Sequence, residues 1–169
     1  MKTQTLFFTM VLLLSTSCNN LEKTKVKEDA IRANIDIFVE SFWNNKDIAI
    51  FKTIATENFS RNMNDISVAS NRKESIANSN LFIIGFPDLK ISNPNIYIKD
   101  NKAFLNFTFI GTNTGIFGDT APTGKKIKIS GFSIIHFNDN AIMRKEEVFY
   151  NELDLLQQLG YTLNAPILE

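Results

Sequence analysis

The chain has 169 residues, 44% of them hydrophobic, and its 18 basic and 18 acidic side chains cancel to a formal charge of zero. That balance excludes the electrostatic footprint of a nucleic-acid binder, and a single Cys excludes an intrachain disulfide. Cohesion must come from packing, and the length suffices for one domain with a sizeable core.

The first segment in chain order is a targeting signal. Lys2 precedes an apolar run, Leu6 to Leu14, interrupted only by Thr9; Ser15, Thr16 and Ser17 then lead to Cys18. The run is too short to span a bilayer and reads as the core of a signal peptide, residues 1–17. A Cys directly after such a run resembles the bacterial lipobox. That resemblance implies cleavage before Cys18, lipidation of its thiol, and a location at the cell envelope, lipid-anchored to a bacterial membrane. The plainer alternative is an ordinary secretory signal with an incidental Cys. Residues 18–27 are polar and lysine-rich and read as a tether, leaving residues 28–163 as the folded domain.

From Glu22 to Asn45, Ile31, Ile35, Phe38, Val39 and Phe42 recur at helical spacing and predict a long amphipathic helix. Asp47 is an N-cap for a second, shorter helix carrying Ile48, Phe51 and Ile54 on one stripe. Glu57 to Val68 reads as irregular with at most a short strand. Ser70 or Asn71 caps a third helix that runs through Ile76 and Leu81 to about Ile84 and stops at Gly85. Pro87 cannot continue it. Four strand-like runs follow: Leu89–Lys99, broken at Pro94; Lys102–Gly111; Lys125–Phe137; and Ala141–Asn151. Asn138-Asp139-Asn140 joins the last two as a hairpin in which Asn tolerates positive φ. Asn151–Gly160 is a short final helix ended by glycine. Helices followed by an antiparallel meander predict an α+β fold.

The stretch Gly111-Thr112-Asn113-Thr114-Gly115, then Ala121-Pro122-Thr123-Gly124-Lys125-Lys126, then Tyr150-Asn151-Glu152-Leu153 and Leu155 to Gly160 resembles the SnoaL-like polyketide cyclases, or ester cyclases. Phe86-Pro87-Asp88-Leu89 resembles the same family's helix-to-strand junction. The family belongs to the cone-shaped superfamily typified by nuclear transport factor two. The resemblance implies a half-barrel: a curved, mainly antiparallel sheet packed against three N-terminal helices, with a short C-terminal helix. It also implies a small hydrophobic molecule, an apolar carbonyl compound, as the ligand of an internal cavity. The superfamily often pairs through its sheet, which leaves a homodimer open.

The same resemblance implies that Asn62, Asn113 and Asn151 stand where relatives tend to carry His or Asp, and that these asparagines line the pocket. The family's chemistry needs a base that removes a proton α to a carbonyl. A neutral amide cannot serve as that base, although it can hydrogen-bond a carbonyl oxygen. Strict alternation along the fourth run puts Met143, Lys145, Glu147, Phe149 and Asn151 on one face. Glu147 is then the replacement base, with Glu146 taking over if a bulge reverses the strand, or Asp119 from the loop. Trp43 and Tyr150 flank the ligand or pack in the core. His136 stands alone, without Asp or Cys at ligand spacing, and reads as a surface or hairpin-edge residue. No metal site and no cofactor motif is present. Three roles stay open: an enzyme of the cyclase, isomerase or lyase type, a non-catalytic binding module, and a dimerisation domain.

Overall fold

The computed structural model describes residues 22–92 and 95–165. The signal segment, Cys18 and Pro94 lie outside these residues. Helix α1 covers residues 22–36 and runs directly into a π-helical segment, Ile37–Asn44, whose wider turn shows in the bond from Asn45 N–H to Glu40 O. The widening brings the consecutive residues Phe42, Trp43 and Asn44 to the interior, which a straight helical stripe would not do. A 3₁₀ turn, Ile48–Ile50, with Asp47 accepting from Ala49 N–H, leads to α2, Phe51–Ile54.

Two strands follow, β1 (Ala55–Met63) and β2 (Ile66–Ala69), then helix α3 (Arg72–Gly85). Asn71 caps α3 through Glu74 N–H. The remaining strands are β3 (Lys90–Ser92), β4 (Ile96–Lys99), β5 (Lys102–Thr112), β6 (Lys126–Phe137) and β7 (Met143–Tyr150), and helix α4 (Glu152–Leu159) ends the fold. Gly160, at φ 106°, stops α4 in the left-handed conformation that favours glycine. The sheet is curved and unclosed, ordered β2-β1-β7-β6-β5-β3, with β4 also pairing along β5. Every pairing is antiparallel except β1 with β7, which is parallel. This is the α+β cone expected from the sequence.

Two local expectations need correction, and one helix docks in a way its sequence does not announce. Glu57–Val68 is not mainly irregular but forms β1, β2 and the turn between them. Asn64 and Asp65 both take positive φ, 49° and 65°, as a two-residue hairpin turn requires. The strands are hard to read because β1 carries polar residues on both faces. Helix α3 docks through Ser75 and Ser79, both fully buried, while Leu81 and Ile84 face solvent. Small residues let the helix approach β1 closely, with Ile76, Phe82 and Ile83 packed against the core beside them. In the β6–β7 hairpin the positive φ falls on Ala141, not on an asparagine. Asn138 instead shapes the turn with its side chain, accepting from Asn140 N–H and Ile142 N–H.

The core fills the concave side of the sheet. Phe38, Phe42 and Phe51 stack beneath α1 at centroid separations of 4.7 to 5.8 Å, and Phe59 meets Phe51 edge-on. Asn44 ties α1 to the edge strand: its side chain accepts from Ile91 N–H at 2.7 Å and donates to Ile91 O at 3.0 Å. Gly131, mid-strand in β6, lets the Phe107 ring lie across the backbone, and a Cβ there would also stand 2.7 Å from Phe149 O. Gly131→Ala is therefore expected to destabilise the fold by about 2 kcal/mol, read from chemical denaturation. An unchanged midpoint would mean that Phe107 does not need this close approach.

Candidate functional site

The concave face encloses an open-mouthed cavity of about 90 Å³. Its walls are apolar. The π-helical segment supplies Phe38, Val39 and Trp43, and Phe82 comes from α3. Leu105, Phe107 and Phe109 line it from β5, where inward residues alternate.

The polar residues of the lining are Arg61, Glu146, Ser133, Asn78 and Tyr150, and the first three are joined to one another. Arg61 and Glu146 are register partners across the parallel β1–β7 pair, so their side chains leave the sheet on the same face. Arg61 Nε donates to Glu146 Oε2 at 2.8 Å, and Arg61 Nη1 donates to Ser79 Oγ at 2.6 Å. Ser133 Oγ reaches Glu146 Oε1 at 3.3 Å. The guanidinium also lies 5.5 Å from the Trp43 ring centroid, a cation–π contact. Arg61 is 2% exposed and Glu146 5%. Each charge is thus held by the other, as a buried ion must be. Burial and the Glu152 carboxylate push the Tyr150 hydroxyl up to about 12, so it stays protonated and able to donate.

A β-bulge decides which glutamate faces inward. His136 pairs with Lys145 but Phe137 pairs with Met143, so Arg144 is an extra residue in β7. The extra residue breaks the alternation between Met143 and Lys145 only, and Glu147 and Asn151 keep one face. Met143, Glu146, Val148 and Tyr150 then face inward, and Glu147 emerges on the convex side beside Asn62. There it meets His136 Nε2 at 2.6 Å and Lys145 Nζ at 3.2 Å. Burial pushes the Glu147 carboxyl up, but the bonds from His136 and Lys145 outweigh it and hold the carboxyl below its ordinary range. The stabilisation from this pairing is full above the ordinary glutamate range and fades as pH falls through the depressed pKa.

The other sequence-selected residues divide between cavity and scaffold. Trp43 and Tyr150 line the cavity. Asn113 is fully buried but organises a loop: its Nδ2 donates to Gly85 O and Gly115 O, and its Oδ1 accepts from Thr123 N–H and Thr123 Oγ. Asn151 is exposed and caps α4 by accepting from Asp154 N–H. Asp119 sits exposed in the β5–β6 loop. None of Asn62, Asn113, Asn151, Asp119 and Glu147 lines the cavity. Sequence reasoning missed Arg61, Ser133 and Asn78. Only Arg61 left a trace, as a lone cation two residues after Phe59 in a strand-forming stretch. Among the described residues no cluster of three His, Cys, Asp or Glu could hold a metal ion.

A curved α+β cone with an apolar interior and a buried ion pair in its wall defines the class of protein. The family model for SnoaL-like polyketide cyclases matches residues 33–159, and the chain belongs to that family. Solved structures agree on the fold. A candidate SnoaL-like polyketide cyclase from Jannaschia sp. CCS1 superposes with a TM-score of 0.72 at 14% identity, covering 80% of this chain and 94% of that one. AclR, a candidate hydroxylase from Streptomyces galilaeus, gives 0.69 at 21% identity, with 80% and 84% covered. TsrD from Streptomyces laurentii gives 0.69 at 16% identity, with 78% and 96% covered. No curated protein sequence matches the chain.

Asn113→Ala removes the partners of three backbone groups and is expected to cost about 3 kcal/mol, measured by thermal or denaturant unfolding. If instead the fold holds and only ligand affinity falls, Asn113 acts in recognition and not in the loop.

Proposed function

We propose that this protein binds a small apolar carbonyl compound inside the cone, held at the cell envelope by a lipid on Cys18. One observation carries the binding reading: an otherwise apolar cavity with the joined Arg61, Glu146 and Ser133 in its wall. Such a cavity rewards a ligand with an apolar body and one polar end. A catalytic role would fall to Glu146, the carboxylate that lines the cavity among the described residues. Both its oxygens are already engaged, Oε2 by Arg61 and Oε1 by Ser133. Arg61 and Ser133 hold the carboxylate as part of a buried ion pair, a scaffold role that supports holding a ligand over turning it over.

The lipid anchor is supported by the sequence pattern ending at Cys18. A second copy is a fitting partner for the convex side of the sheet, where Phe104, Phe132, Ile134 and Phe149 lie half-buried and Tyr97 is 71% exposed. Pairing there would bury these aromatics, and Phe132→Glu should shift sedimentation toward the monomer.

Native mass spectrometry of the delipidated protein, purified from its own host, is expected to show a bound apolar compound. Consistently empty protein would contradict the binding reading. Glu146→Gln should lose about 3 kcal/mol of stability by leaving Arg61 uncompensated, and with it the bound compound. Glu147→Gln should keep the compound; its loss there would return the site to the convex face. Cys18→Ser should move the protein from the membrane to the soluble fraction, and continued membrane partitioning would rule out lipidation at that residue.

A further inference from the structure

Three of the polar side chains in the cavity lining, Arg61, Glu146 and Ser133, are spent on one another. Tyr150 stands apart from them. It lies four residues beyond Glu146 on β7, about 13 Å along the strand. Its side chain faces inward with those of Glu146 and Val148, and all three line the cavity. Its register partner on β6 is Gly131, which has no side chain to cover it, and the Phe107 ring lies over that glycine. Leu155 lines the cavity as well, from the helix that begins two residues after Tyr150.

Among the described residues the Tyr150 hydroxyl has no hydrogen-bond partner, yet it keeps accessible surface. It does not stand free in solvent either, because burial is the larger cause of its raised pKa and the Glu152 carboxylate the smaller. The phenol therefore stays protonated at neutral pH and has a hydrogen to give. A donor partly withdrawn from water and left unpaired is costly, and a ligand that brings an acceptor recovers that cost. Glu152 also bears on charge: an anionic head would be repelled by its carboxylate, whereas a neutral oxygen would not. Building on the binding reading above, we infer that Tyr150 orients the ligand. Its hydroxyl donates to one uncharged oxygen, that of a ketone, ester or ether, while the apolar body runs back along β7 toward Arg61 and Glu146. The ion pair is then part of the wall, and the polar head is received at the α4 end.

The test is calorimetric titration of the purified protein with 2-acetonaphthone and 2-isopropenylnaphthalene. The two have one shape and differ by a carbonyl oxygen against a methylene. Tyr150→Phe removes only the hydroxyl. It is expected to weaken the ketone about fivefold, the worth of one net hydrogen bond, and to leave the alkene unchanged. The unchanged alkene shows at the same time that the variant is folded. In infrared spectra the carbonyl stretch of the bound ketone should lie at lower frequency in the wild-type protein than in Tyr150→Phe, a mark that ring packing alone would not leave. If Tyr150→Phe weakens both compounds alike or neither, if only the alkene binds, or if 2-naphthoate binds better than the ketone, this inference is overturned and the apolar cavity survives as a binding site. If neither the ketone nor the alkene binds the wild-type protein, the binding reading falls and this inference with it.

Discussion

A guanidinium and a carboxylate buried together in an apolar interior set the constraint on which the cone depends. Taking either ion out of water alone would cost several kcal/mol, on the order of the whole stability of a small domain. The sheet must therefore deliver both to one place. The parallel pairing of β1 with β7 puts Arg61 beside Glu146, and the bulge at Arg144 turns Glu146 inward. Helix α3 approaches through Ser75 and Ser79 because Arg61 needs the Ser79 hydroxyl, and a large side chain there would displace it. The π-helical turn places Trp43 against the same guanidinium. Four separate irregularities thus converge on one ion pair in the cavity wall.

The architecture was legible because its signals are local. Helical spacing marked α1, Asp47 and Asn71 marked helix starts, and Gly160 marked a helix end. The motif from Gly111 to Gly160 pointed to the family, and the fold follows it. What stayed hidden depends on register. Glu147 is expected inside because Asn151 is; the two share a face, and the structure turns that face outward. A bulge has no fixed sequence signature, so alternation carries no warning of it. β1 was obscured because its inner face bears Arg61, whose burial makes sense only once Glu146 stands beside it. Such a pair is non-local by nature.

The asparagines teach a related lesson. Asparagines of the motif need not line the cavity. Asn113 closes a loop with four side-chain hydrogen bonds, and Asn151 starts a helix. Both jobs suit an amide, which donates and accepts without charge. The cone is kept by these structural uses of the motif, while Arg61 from β1 and Asn78 from α3, both outside it, line the cavity.

The most direct measurement is nuclear magnetic resonance mapping of a neutral apolar probe. Trp43 is the only tryptophan in the chain, so its indole N–H gives one assigned signal in the cavity wall. The Arg61 Nε–H gives another at the ion pair. Adding 2-naphthamide should shift both together with Tyr150, and leave Asn62, Glu147 and Asn151 where they were. Shifts at Asn62, Glu147 and Asn151 with Trp43 and Arg61 unmoved would contradict the account and place recognition outside the cone.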